Sequence, residues 1–463
     1  MRPFLKAILL LIITLVFYQC KKDPEIKEII DITDNHFLNA LIERGIDTNN
    51  DKLISPAEAM VVSSLDVSSS GITDLTGIEN FITLKTLVCS FNVLKKIDVS
   101  KNIALKQLDV SGNQLVELNL NQNLTELNCS SNKFTNLDLS GKKYLKYLHC
   151  ENNQLKTLNV SGNTELSVLY CYSNQLTSLN VSGDSALETI ECYENNLEQL
   201  ELSTCLALKT VNCYNNQLSA LDLSGNAELK YLDCRANIIR SIDLRKNTNL
   251  EFLNCNMNSQ LIALDVSNVS ALATLLCSNT GLQVLDVSKN LMLKMFICSA
   301  SKIATLNLSG NTNLTALRCE NTPITALDVS KNEKLGLLFC GENSLEGVDL
   351  SNNPELTFLD CAFGAIRNLD VTKNLKLETL NCMGTQIKTL DITRNESLVQ
   401  LICSKTNLEQ LNLSFNKKLG LLWIEDMPQL HKVCVWNLPF PPNVNFELRA
   451  NNSPGIFFSV NCE

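Results

Sequence analysis

Along most of the chain, apolar residues return in short alternating triplets rather than at helical spacing. Between positions 145 and 165, Leu145, Leu148 and Cys150 are followed by Asn153 and Leu155, then by Leu158, Val160 and Asn163. Alternation across Leu148-His149-Cys150 sends two side chains inward and one outward, as a short half-buried strand requires. The triplet Leu158-Asn159-Val160 does the same, so each unit predicts two short strands on opposite walls of one coil. Asn at the bends supplies side-chain groups for backbone leaving a strand. The unit recurs every 21 residues, marked by Cys129, Cys150, Cys171, Cys192, Cys213, Cys234 and Cys255. One extra residue puts the next at Cys277, and the rhythm resumes through Cys298, Cys319, Cys340, Cys361, Cys382 and Cys403. Cys89 stands on the same ladder, Val110 fills the rung between it and Cys129, and Val67 and Ile424 extend it at either end. No coil can bury its apolar side alone, so stability has to come from stacked neighbours.

The stretch LKYLHCENNQLKTLNVSGNTE closely resembles a leucine-rich repeat of the nested 21-residue kind called IRREKO, with consensus LxxLxCxxNxLxxLDLxxN. The resemblance covers about residues 60 to 430. It implies a mainly β repeat solenoid, a right-handed superhelix with parallel sheets. The ladder cysteines are read as core, because Val110 and Ile424 occupy the same position and free cysteine packs as a small hydrophobe. A metal site needs clustered ligands of mixed direction, not one ligand type along a line.

Both ends of such a stack need caps. Helical patterning covers His36–Arg44 and Pro56–Ser64, and between them lies DTNNDKLISPAE. Asp47, Asn49, Asp51, Ser55 and Glu58 fall at EF-hand loop positions, with the Leu53 carbonyl supplying one more oxygen, so calcium is the expected structural cofactor. Lys52 stands where such loops carry glycine, and the alternative is a polar cap that needs no metal. At the other end the rhythm is expected to stop after Ile424, giving an irregular cap. Cys434 and Cys462 flank it and are the disulfide candidate in an oxidising compartment. Cys205 is read as an outer turn residue without a partner.

Charge and the first residues refine the class. The chain carries a net charge of −10, which argues against nucleic acid. Arg2 and Lys6 precede a short apolar run that ends at Cys20, too short to span a bilayer but suited to export. With Lys21, Lys22 and Asp23 after it, this resembles the lipidation signal of Bacteroidetes surface lipoproteins; the alternative is an ordinary cleaved signal. The expected plan is therefore signal peptide at 1–19, lipid-anchor linker at 20–33 and EF-hand-like helical cap at 34–64. Leucine-rich repeats follow at 65–430 and a C-terminal cap at 431–463. The expected location is the outer membrane, lipid-anchored and surface-exposed.

The ladder fixes which side chains face outward. Tyr172, Tyr193 and Tyr214 occupy successive rungs of one column, beside Tyr147, His149, Tyr170, Glu191, Asn212, Tyr231 and Arg235. Such a stripe suits sugars or protein surfaces, or it serves only to steady the sheet. Farther along, Leu276, Met295, Ile297, Leu337, Phe339, Phe358, Ile402 and Trp423 make the outward positions apolar, as a protein interface or a covering cap would require. Asp98, Asp138, Asp222, Asp243, Asp328, Asp349 and Asp370 form a stripe on the opposite wall, read as turn bonding. Only three histidines exist, His36, His149 and His431, and no hydrolase, zinc or phosphate-binding motif is present. The function expected is non-catalytic protein recognition or adhesion at the cell surface. Glycan capture by the tyrosine stripe, or a spacer without a ligand, is the alternative.

Overall fold

A computed structural model describes residues 29–442, 445–453 and 455–462. The expected signal peptide and the expected lipidation site at Cys20 lie outside these residues. The chain divides into two units, Met1–Asn123 and Leu124–Glu463.

In the leading unit, Asp34 caps the helix Asn35–Glu43 and accepts from the N–H groups of His36 and Phe37. Its other oxygen accepts from the Thr73 N–H and hydroxyl and the Asp74 N–H, tying the helix to the first coil. Burial pushes this carboxyl up, but the donors from Thr73, Phe37 and His36 outweigh it and hold the group at about 2. The second helix is only Pro56–Ala59, not the longer one expected. By Ser64–Asp66 the chain is already a strand, parallel to Thr86–Val88, which in turn pairs with Gln107–Asp109. Leu65 and Val67 are buried there as the first rung of the ladder.

The larger unit is a parallel β solenoid whose register follows the repeat. Tyr147, Leu148 and His149 lie opposite Val168, Leu169 and Tyr170, and the same pairing recurs rung after rung. Each ladder strand is three residues long with its middle residue buried. The cysteine that follows is buried on every rung. The residue two beyond each cysteine takes a left-handed conformation, for example Asn152, Ser173, Glu194 and Asn215 at φ of 50 to 55°. No Val, Ile or Thr occupies that column, because a branched Cβ is strained there. The next residue, Asn in every coil from Asn132 to Asn258 and again at Asn343, closes the bend. Asn153 donates to the carbonyls of Cys150 and Cys129 at 3.1 Å each, and its oxygen accepts from the Phe134 N–H at 3.0 Å. One side chain thus joins three segments of backbone that no strand pairing serves.

The residue added before Cys277 is absorbed between the two walls. Phe252–Asn254 and Thr274–Leu276 stay in register across it. The second wall is less continuous: Thr157–Asn159 pairs with Ser178–Asn180 and Ser241–Ile242 with Ala263–Leu264, while Glu201 meets Asp222 and Gly347 meets Asn368 only through isolated bridges.

The C-terminal segment is not irregular, contrary to expectation. Lys432–Cys434 pairs with Gln410–Asn412 and with Phe457–Ser459, and Glu447–Arg449 pairs with Leu421–Trp423. Both walls therefore continue beyond Ile424. A Pro-containing insertion lengthens the last coil and breaks the sequence period without breaking the stack. Trp436, Phe440, Phe446 and Phe458 cluster around it. Cys434 and Cys462 are joined as a disulfide, their Cα atoms 5.4 Å apart.

Candidate ligand-binding face

Three columns of side chains cover the outer side of the ladder sheet in the larger unit. Two come from the strand residues that flank the buried leucine, and the third follows the cysteine. In the third column, Tyr172 and Tyr193 stack at 4.3 Å between centroids and 7° between planes, and Tyr193 and Tyr214 at 4.4 Å and 10°. The Arg235 guanidinium lies 4.3 Å from the Tyr214 ring centre. Spacing by parallel β pairing is what brings these rings to stacking distance. In the neighbouring column the His149 and Tyr170 rings meet edge to face at 4.6 Å, followed by Glu191 and Asn212. The remaining column carries Tyr147, which is exposed, and Tyr231, which stacks on Phe252 at 4.4 Å.

This face is half-buried and acidic. Burial raises the hydroxyl pKa values of Tyr170, Tyr172, Tyr193 and Tyr214, and nearby charge adds to it, from Glu191 at Tyr170 and Glu151 at Tyr172. Burial also raises Glu191, with the Glu151 charge second. Glu151 is itself 8% exposed, with Nδ1 of His149 at 3.8 Å from one oxygen and no hydrogen-bond partner for the other. Glu151, Phe252 and Arg318 were not among the sequence-derived site residues, although counting along the columns would have found each of them.

The apolar stretch is more covered than its sequence implies. Ile297 sits between Leu276 and Arg318 in register. Phe339 is flanked by Phe358 at 4.5 Å and by the Arg318 guanidinium at 4.4 Å. Trp423 lies under Arg449 of the last coil at 4.1 Å and donates to Glu447 at 3.2 Å. The covering cap, one of the two alternatives for this stretch, thus applies at Trp423. Met295 and Leu337 stay exposed.

The loop at 47–58 has the turn expected of a calcium loop, with Lys52 at φ 64° in the glycine position. Its acidic groups are engaged otherwise. Asp47 accepts from the Asp51 and Lys52 N–H groups, and Asp51 from the Leu53 N–H. Asn49 also accepts from the Asp51 N–H. Glu58 accepts at one oxygen from the Thr48 N–H and hydroxyl and at the other from the Ser55 N–H and hydroxyl. Among the described residues no group of three or more His, Cys, Asp or Glu is placed to hold a metal ion. In this arrangement Ser55 and Glu58 form a capping box.

The aspartate stripe of the second wall makes turns as expected: Asp98, Asp138, Asp222, Asp328 and Asp349 each accept the N–H of the serine two residues on at 2.9 Å. Cys205 corrects its reading as an outer turn residue. It is fully buried and its thiol donates to the Val181 carbonyl at 3.5 Å, in a column that is mostly asparagine. A hollow of about 360 Å³ in the leading unit is lined by Asp74, Glu79, Lys96, Asp98, Lys101 and Glu117.

Solved structures share this fold. The functional domain of InlJ from Listeria monocytogenes, described as including a cysteine ladder, is 35% identical. That match covers 75% of this chain and 72% of that one, with a TM-score of 0.63. The chain belongs to the leucine-rich-repeat family. YopM from Yersinia enterocolitica shares the fold at 21% identity, covering 94% and 98% of the two chains with a TM-score of 0.63. A leucine-rich-repeat protein of Leptospira interrogans does so at 19%, 80%, 97% and 0.64. No protein-family model and no curated protein matches the chain.

Proposed function

We propose that this leucine-rich-repeat chain is a non-catalytic recognition module that binds a protein partner on the outer side of its ladder sheet. The observation that carries the reading is the in-register run of Tyr, Phe and Arg side chains on that face, the residue types that dominate binding energy at protein interfaces. A solenoid offers such a face over many rungs, and its fixed strands hold the side chains in place before binding. Glycan capture is less well supported. A sugar stacks on an aromatic face, and the faces of Tyr193 and Tyr214 are already covered by Tyr172, by each other and by Arg235.

Export and lipidation at Cys20 belong to the same proposal, since a surface anchor would present this face outward. The test is retention of cell-surface proteins on the immobilised chain, compared with the double variant Ile297→Asp, Phe339→Asp. The expected result is loss of the retained protein with an unchanged melting temperature. Retention equal to that of the unaltered chain would sink the reading.

A further inference from the structure

The tyrosine stack ends differently on its two sides. At one end the Arg235 guanidinium covers Tyr214, a cation over a ring face at 4.3 Å. At the other end Tyr172 has Tyr193 on one face only. The rung beyond it in the same column is Glu151, placed there by the bond from the Asn152 N–H to the Tyr172 carbonyl. Glu151 is nine-tenths buried, and its Oε2 has no hydrogen-bond partner. A buried carboxylate oxygen left without a donor is costly, so the site lacks a donor. Glu191 stands two rungs along the adjacent column, and the two carboxylates are close enough to feel each other's charge. Beside Glu191, the Asn212 Oδ1 is likewise buried without a donor. Among the described residues His149 is the one basic group within ion-pair distance of Glu151, with its Nδ1 3.8 Å from Oε1.

We propose that this end of the stack is a seat for a cationic side chain, a lysine or arginine brought by the protein partner. The cation would lie against Tyr172 and donate a hydrogen bond to Glu151 Oε2, with Glu191 adding negative potential. The chain's own Arg235 shows the same contact made internally at the far end. A neutral donor would satisfy the unpartnered oxygen but would leave the paired negative charge uncompensated. An anionic one is repelled. The chain's net charge of −10 complements a basic partner surface.

This inference rests on the recognition reading but is tested apart from it, with pentalysine as the probe and no natural partner. Binding is measured by calorimetry to the whole chain, to Glu151→Gln, to Glu191→Gln and to Glu355→Gln. The last removes the same charge at a distant pair with Lys376. Saturable binding is expected, weakened about tenfold or more by Glu151→Gln and less by Glu191→Gln, with Glu355→Gln within about twofold of the unaltered chain. Melting curves establish that each variant is folded, and Tyr172→Leu gives an independent reading should Glu151→Gln prove unstable. Equal affinity in the Glu151 and Glu355 variants would mean diffuse charge attraction and would overturn the seat, as would absence of saturable binding. Loss of pentalysine binding with natural-partner capture intact would leave the recognition reading standing alone.

Discussion

Asparagine at the second bend of most coils does what no backbone pairing does there. Asn226, for example, donates to the Leu202 and Cys205 carbonyls at 3.1 and 2.8 Å while fully buried. At position 184 the same column carries aspartate, buried, with neither carboxyl oxygen given a donor. Burial raises this carboxyl to about 7. The native state therefore holds a proton that an unfolded chain, with an ordinary aspartate near 3.8, releases over that interval. Where the native state binds more protons, stability falls as pH rises. Its contribution is thus whole below about pH 3.8 and is lost progressively up to about pH 7. Asp184→Asn restores the amide donor and should flatten this slope. Urea melts at pH 5 and pH 8 are expected to converge for the variant and differ for the unaltered chain. An identical pH dependence in both would rule this account out.

Elements were legible in the sequence wherever every rung repeats the same chemistry. The ladder cysteines gave both register and burial, since one buried column is enough to orient every outward one. Reading failed where a residue's role depends on a neighbour out of period. Cys205 read as an outer turn residue without a partner because its column otherwise carries asparagine, yet that asparagine column is buried and bonded. Proline at 439, 441 and 442 hid the last coil by stretching its turn. The covering of ring faces by adjacent rings and arginines depends on side-chain orientation, which spacing alone does not supply. The cap loop was legible as a turn but not in its bonding. There the Ser55 N–H, Ser55 hydroxyl and Thr48 outweigh burial and hold Glu58 at about 2. That gain is present above an ordinary carboxylate pKa near 4.5 and is lost as pH falls toward 2. Glu58→Ala should cost about 1–2 kcal/mol by loss of the capping box. Denaturant melts in EGTA and in calcium are expected to show the same loss. A loss that appears only with calcium would restore the metal reading.

At the scale of the larger unit, each coil is held only by its two neighbours, so opening should begin at an end and not everywhere at once. The buried ladder supplies a probe on nearly every rung, because a thiol reacts only when its coil opens and burial raises its pKa well above the ordinary range. Cys403 lies near the last coils and Cys234 in mid-array. The Cys434–Cys462 disulfide closes a loop of 28 residues' separation around the last coil. Cross-links of this kind contribute about 2–4 kcal/mol, chiefly by restricting the opened chain. Removing it with Cys434→Ser and Cys462→Ser should therefore release the end selectively. In sub-denaturing urea, maleimide tagging read by mass spectrometry is expected to speed up at Cys403 by about tenfold or more while Cys234 stays unchanged. Equal acceleration at both would show the coils opening as one cooperative block, in which case the stack is not held end to end by nearest neighbours alone.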